Sequence, residues 1–285
     1  MKATGTASAA ERDRILSDNL QLHRMTARVY DTVHPHMRNS FEQRLQTKDI
    51  RRMVHAFAAE APRRVLDLGC GTGNLTVQFL EEGATVDGVD MSAEMLDVLR
   101  SKLERVPAWR GRYRVHQRDI EGFLASNAGE FEIVSMSSVA HHLADYLETL
   151  EALAQRITPG GFLYLVHEPA HRTEMTRSSF ALRRVWSIIP RGLDRLLRHT
   201  RMDSTLHREW EAQDTTFADF HYHRDGISMS AISQRLMPHG FGLAEASRYN
   251  AHETSLVSWL DNHWCSRFRY EQFQRTYFRA IWRRV

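Results

Sequence analysis

Between residues 65 and 168 the chain keeps switching between short apolar runs and stretches of helical periodicity. Val65-Leu66-Asp67-Leu68 leads into Gly69-Cys70-Gly71-Thr72-Gly73 and a helical pattern from Asn74. Thr85-Val86-Asp87-Gly88-Val89-Asp90 follows, with Ser92 as N-cap ahead of Met95, Leu99 and Leu103 on one helical face. Tyr113 and Val115 alternate with Arg112, Arg114 and His116, the pattern of a strand at a sheet edge. Residues 131–136 form a fourth run. Asp145 and Glu148 then have capping-box spacing before Leu150, Leu153 and Ile157. Thr158-Pro159-Gly160-Gly161 reads as a turn into Phe162-Leu163-Tyr164-Leu165-Val166, continuous as in a buried parallel strand. About five such alternations in roughly 100 residues predict a doubly wound α/β sheet with helices on both faces. Ligands of such sheets bind beyond the carboxyl ends of the strands.

Residues from about 11 to 60 read as helical, with a break at Tyr30-Asp31-Thr32-Val33-His34-Pro35, because proline disfavours helical geometry just before it. Residues 230–237 read as a helix, 241–246 as a strand and 256–264 as a short helix. Residues 277–283 read as a closing antiparallel strand, with Phe278, Ala280 and Trp282 alternating against Arg279, Ile281 and Arg283. Its arginines are expected to lie on an exposed edge. No apolar stretch approaches the ~20 residues of a spanning helix. The amino terminus has no apolar signal core, so a cytoplasmic chain is expected. Two cysteines exclude a disulfide framework and a cysteine zinc site.

The glycine loop carries the most chemistry. Alternating glycines let the backbone turn sharply and approach a ligand, and the following helix start offers free N–H groups to a carboxylate. Asp67 before the loop suits an ammonium group, and Asp90 at the end of the second strand suits the two hydroxyls of a ribose. A dinucleotide fingerprint is Gly-x-Gly-x-x-Gly, whereas the spacing here is Gly-x-Gly-x-Gly with an acid in front. An amino acid joined to a nucleoside fits better, although an NAD(P)-dependent oxidoreductase remains an alternative.

Residues 65–168 resemble class I S-adenosylmethionine-dependent methyltransferases of the small-molecule type that includes quinone-biosynthesis enzymes. The likeness runs through residues 65–76, 86–91, Arg118-Asp119-Ile120, 131–145 and 157–166. It implies a seven-stranded doubly wound sheet, mostly parallel with the last strand antiparallel, plus amino-terminal helices and a helical cap insertion. The expected divisions are 1–60 as a helical cover, 61–168 as the cofactor-binding core, 169–225 as a cap and 226–285 as the rest of the sheet. By the same resemblance Asp67, Gly69 and Gly71 hold the methionine part and Asp90 the ribose. Met91, Asp119 and Ile120 contact the adenine. Cys70, Gly73, Asn74 and Ser137 complete the cofactor-binding set. Tyr30 either closes over the cofactor or packs between helices.

Methyl transfer needs alignment above all, and a base only when the acceptor must lose a proton. His142 follows the fourth strand, where the resemblance puts a histidine in many members. A histidine titrates near ~6.5 and suits that task. Its alternative role is to buttress the loop. Glu168, with His167 and His171, is a second catalytic candidate, or else a solvated or ion-paired loop. The pairs His34/His36 and His221/His223 have metal-compatible spacing, but no carboxylates accompany them, so no metal is expected.

The chain has 35 Arg against 3 Lys. Residues 172–201 concentrate arginines among apolar side chains. That stretch reads as an amphipathic cap, a selector of anionic or lipid-like acceptors, or a peripheral membrane contact. A net charge of +3 and Ser135-Met136-Ser137-Ser138 in place of an Asn/Asp-Pro-Pro-aromatic run argue against a nucleic-acid substrate. The expected activity is methyl transfer to O, N or C of a small organic acceptor, with S-adenosylhomocysteine as product. A non-catalytic S-adenosylmethionine-binding protein is the rival. Oligomeric state is left open.

Overall fold

The computed structural model describes residues 8–57, 61–126, 129–171, 220–221, 224–250, 252, 254–264 and 277–285. The apolar runs become β1 (Arg64–Leu68), β2 (Thr85–Asp90), β3 (Tyr113–Gln117), β4 (Phe131–Ser137) and β5 (Ile157–Pro169). β6 (Phe241–Tyr249) and β7 (Tyr277–Arg284) join them in one sheet of order β3-β2-β1-β4-β5-β7-β6. Pairs among β1 to β5 are parallel, and β7 runs antiparallel to both β5 and β6. β3 is an edge strand, as its alternation predicts.

Burial on both faces explains the continuous apolar runs. Successive side chains of a strand point to opposite faces. Leu66, Leu68, Val134, Met136, Leu163 and Leu165 enter one core, under α7 (Ile120–Ala125), α8 (Tyr146–Ala154) and α9 (Met229–Leu236). Val65, Ile133, Phe162, Tyr164 and Val166 enter the other, with side chains of α4 (Ser40–Val54), α5 (Asn74–Glu81) and α6 (Ala93–Glu104). Predicted caps are present: Ser92 accepts from Met95 N–H and Asp145 from Glu148 N–H.

The amino-terminal region is α1 (Ala9–Thr26), the single turns α2 (Tyr30–Val33) and α3 (Pro35–Arg38), and α4. The proline break is therefore a pair of short turns. Asn39 caps α4 by accepting from Phe41 N–H, and its amide donates to Ser258 of α10 (Ser255–Trp264).

Two expectations are corrected. Residues 158–161 are not a turn before the strand: β5 already pairs at Ile157 with Phe131 and resumes at Phe162 opposite Ile133, so they bulge within it. Ile157 accordingly belongs to the strand and not to a helical face. The carboxy-terminal arginines do not lie on an edge strand, because β7 lies between β5 and β6, although Arg283 is exposed as expected. Arg279 is buried, with Asp49 of α4 at 2.5 Å and Glu245 of β6 at 2.7 Å, and Tyr164 donates to Asp49. Burial raises the Asp49 pKa, with the Arg279 charge opposing it. This cluster fastens α4 to the sheet, since removing one partner of a buried pair leaves the other uncompensated. Of the expected cap, 169–225, residues 172–219 and 222–223 (His223 among them) lie outside the described residues.

Candidate active site

A cavity of about 260 Å³ opens at the carboxyl ends of β1, β2 and β4. Gly69 and Gly71 form its floor, Asp90 and Met91 follow from β2, and Arg118, Asp119 and Ile120 lead into α7. Ser137, Ser138, Val139 and His142 come from the end of β4 and the loop after it. α1 crosses the opposite side with Arg12, Asp13, Asn19 and His23, and Tyr30 of α2 stands beside it.

The floor is set by backbone geometry. Gly69 has φ +60°, and a Cβ there would lie 2.4 Å from Val139 Cγ2. Only a residue without a side chain combines that backbone with that contact. Asp90 closes the loop: one carboxylate oxygen accepts from Gly71 N–H and the other from Ser92 N–H, both at 2.9 Å. Asp119 caps α7 by accepting from Gly122 N–H at 2.6 Å, and its exposed carboxylate borders the cavity.

Nine expected site residues thus line the cavity: Tyr30, Gly69, Gly71, Asp90, Met91, Asp119, Ile120, Ser137 and His142. Five stand behind it. Asp67 is buried under the loop, accepting from Thr76 Oγ1 at 2.6 Å and Ser135 Oγ at 2.9 Å, and burial pushes its pKa up to about 6. The Cys70 thiol is buried against Gly88, where burial raises its pKa well above the usual range. Gly73 is the left-handed N-cap of α5, and a Cβ there would meet Leu99 of α6 at 2.4 Å, so its lack of a side chain serves helix packing. Asn74 bonds to Gln43 and Gln46 of α4. Glu168 is wholly buried and accepts from the backbone N–H groups of Val139, Ala140 and His141 at 2.7, 2.8 and 3.2 Å. Its second oxygen also lies 2.8 Å from His141 Nδ1. The solvated-loop alternative for Glu168 gives way to this clamp across β4 and β5, and the arginines of the expected cap with which it was also paired lie outside the described residues. Ser138 and His167, at φ +60° and +58°, flank it, and such strain persists only where surrounding structure enforces it.

The sequence reading passed over three features. Asp31, next to Tyr30, receives the Thr72 hydroxyl of the glycine loop at 2.5 Å and lies 2.5 Å from Lys102 of α6. It ties α2 to the loop, and the Tyr-Asp pair was its signal. His23 borders the cavity with its ring centroid 5.9 Å from that of His142, at 85°, and 6.2 Å from that of Tyr30. Nothing local marks it. Behind Tyr30 a row of rings continues: the half-buried His34 at 4.0 Å from Tyr30, and the buried His36 at 4.4 Å from the buried His167. His167 Nδ1 lies 2.6 Å from Glu42 of α4, and the ring stacks on Tyr277. Burial above all, then the imidazoles of His23 and His167, lowers the His34 pKa to about 3, and burial takes His36 well below its usual value.

Residues 41–218 match the model of a family described as a methyltransferase domain. The chain belongs to that family. Its relatives include the ubiquinone biosynthesis O-methyltransferase of Aromatoleum aromaticum, 37% identical over 107 residues, covering 38% of this chain and 44% of that protein. The protein of that name from Vibrio parahaemolyticus is 34% identical over 102 residues, covering 36% and 42%. The chain thus spans under half the length of these curated relatives. Among solved structures, magnesium protoporphyrin IX methyltransferase of Synechocystis PCC 6803 with bound SAM aligns at TM-score 0.53 and 15% identity, over 99% of this chain and all of that one. The N-methyltransferase of Bradyrhizobium japonicum WM9, in complex with S-adenosyl-L-homocysteine, aligns at 0.56 and 14%, over 94% and 98%. The family and these structures share the class I fold.

Proposed function

We propose that the chain is an S-adenosylmethionine-dependent methyltransferase acting on a small organic acceptor, at O, N or C. The observation that carries this reading is the Gly69–Gly71 floor closed by Asp90 beside an open cavity, with Asp119 and Ile120 further along it. A cradle that a Cβ would fill, followed by a carboxylate at the end of β2, fits a nucleoside joined to an amino acid. Family membership supports the same reading. Asp90 would take the ribose, Asp119 and Ile120 the adenine, and Gly69 and Gly71 the methionine part.

Bound there, the cofactor supplies a methyl group already activated on a sulfonium, open to in-line attack. The chain's part is to align and to exclude water. Glu168 holds the His142 loop, Asp31 holds α2 and Tyr30 against the glycine loop, and α1 covers the opening. His142, on the cavity wall, is placed to receive a proton from an acceptor. We also propose a cytoplasmic location and no nucleic-acid partner. Among the described residues no helix is long and apolar enough to cross a membrane.

Calorimetric titration with S-adenosylmethionine, S-adenosylhomocysteine and NADH tests the reading. Micromolar binding of the first two and none of the third is expected. Binding of NADH alone would overturn it, and cofactor binding with no turnover of any acceptor would favour the accessory role.

A further inference from the structure

We infer that Asn19 of α1, together with Ser137 at the end of β4, holds the ammonium group at the amino-acid end of the cofactor, so that the cover itself carries part of the cofactor site. The inference rests on the proposed methyl-transfer reading and adds to it a binding residue outside the sheet.

Two buried side-chain oxygens of cavity-lining residues, Asn19 Oδ1 and Ser137 Oγ, have no hydrogen-bond partner among the described residues. Buried polar groups are normally paired, because an unmade bond forfeits the hydration of the group. Asn19 is 4% exposed and sits in the middle of α1, where asparagine is a poor helix former. Its orientation is fixed. The amide nitrogen donates to the Ile15 carbonyl at 2.9 Å, and reversing the amide would set oxygen against oxygen. The oxygen that remains can only accept. Arg12, Leu16, Asn19 and His23, at spacings of four and three, form the stripe of α1 on the cavity.

That stripe runs from one end of the cofactor site to the other. Arg12 lies 3.8 Å from Glu121 of α7, next to Ile120 of the proposed adenine site. His23 meets His142 of the loop after β4, with ring centroids 5.9 Å apart. Asn19 is about one turn, roughly 6 Å, from His23 and roughly 10 Å from Arg12 at the rise of an α-helix. Ser137 belongs to the same end, because Leu68 of β1 pairs with Met136 of β4 and Ser137 follows beside Gly69. Both oxygens thus stand where the methionine part is proposed to lie.

An ammonium group there needs acceptors. Asp67, the acid expected to meet it, is buried under the loop with its oxygens accepting from Thr76 and Ser135. Asp90 accepts from Gly71 and Ser92 N–H groups, and Asp13 lies six positions back from Asn19, roughly 9 Å toward the Arg12 end. An ammonium carries three N–H donors and no acceptor, which matches a carboxamide oxygen and a hydroxyl oxygen. Bonds from a charged donor are the stronger ones, and this one would fasten α1 as the cofactor enters.

The test compares S-adenosylhomocysteine with 5′-methylthioadenosine, which keeps the nucleoside and the thioether but has no amino-acid end. Calorimetry on the full parent chain comes first. If S-adenosylhomocysteine does not bind there, the cofactor reading fails and takes the inference with it; if it binds, the variants address Asn19 alone. Asn19→Leu keeps the volume of the side chain and removes its polar atoms. It should weaken S-adenosylhomocysteine about tenfold or more and leave 5′-methylthioadenosine within about twofold of the parent. Ser137→Ala should act in the same direction with a smaller effect. Without ligand, Asn19→Leu should melt no lower than the parent, since an unpaired buried oxygen is gone, whereas an asparagine with a purely structural role would lower the melting temperature when replaced. Unchanged S-adenosylhomocysteine affinity in Asn19→Leu, equal weakening of both ligands, or a lower melting temperature of the ligand-free variant would each overturn the inference.

Discussion

Gly69 and His23 border the same cavity, yet different forces hold them in place. Gly69 sits at the end of a strand buried on both faces, its backbone locked between Val139 and a loop that Asp90 closes. His23 rides on α1, whose pairs to the rest of the chain are partly exposed: Arg12 with Glu121 and Glu148, Arg24 with Glu94, Glu11 with Arg224. Exposed pairs of this kind contribute about 0–1 kcal/mol each. Between the two stand Asp31, bridging Thr72 and Lys102, the half-buried imidazole of His34 and the buried one of His36. The sheet side of the site is therefore preformed, whereas the helical side is a cover held by the buried Ile15 and Leu22 of α1, to which the exposed ion pairs add little.

Acid should break the cover first. His34 is held near 3 by burial, below the 6.5 of an unfolded histidine, so it contributes stability that is complete above pH 6.5 and declines as pH falls toward 3. For His34 alone the loss between pH 7 and pH 4 is about 3 kcal/mol. His36 shifts in the same direction. Hydrogen exchange at pH 7 and pH 4.5 should show α1 to α3 losing protection before β1 and β4. Equal loss in both regions would erase the contrast.

Next in size is Gly69→Ala, which meets both the positive φ and the Val139 contact. About 2–3 kcal/mol of stability should be lost in urea denaturation, along with S-adenosylhomocysteine affinity. A variant as stable as the parent would show that the floor is not preformed.

Asp90→Ala should cost about 1–2 kcal/mol of cofactor affinity in calorimetry, since it removes both the proposed ribose contact and the bond to Gly71. The smallest effect belongs to the cover. Arg24→Ala, on the 3.2 Å pair with Glu94, should change stability by less than about 1 kcal/mol, and raised salt should mask even that. A larger effect would promote α1 from cover to structural wall.

How much of this was legible follows the same division. The strand–helix alternation, the glycine loop, Asp90 and Asp119 are local patterns, written within a few residues of the atoms they position. β7 was legible as an antiparallel strand, but not Arg279's burial, because its partners Asp49 and Glu245 come from distant parts of the chain. Glu168 drew notice as an acid at a strand end. Its role as a clamp depends on three backbone N–H groups about thirty residues upstream, which no spacing rule reveals. Cys70, Gly73 and Asn74 were assigned through the resemblance, whereas the Cys70 thiol points to Gly88, Gly73 leaves room for Leu99, and Asn74 bonds to α4. His23 was invisible because α1 meets the His142 loop only in the folded chain.

Amide hydrogen exchange with and without S-adenosylhomocysteine tests the central claim most directly, because it reads both sides of the cavity at once. The account predicts new protection at residues 69–72, at Met91, at residues 119–120 and along α1, with the larger relative gain on α1, where the starting protection is lower. Protection confined to another part of the chain, or none at saturating ligand, would contradict it.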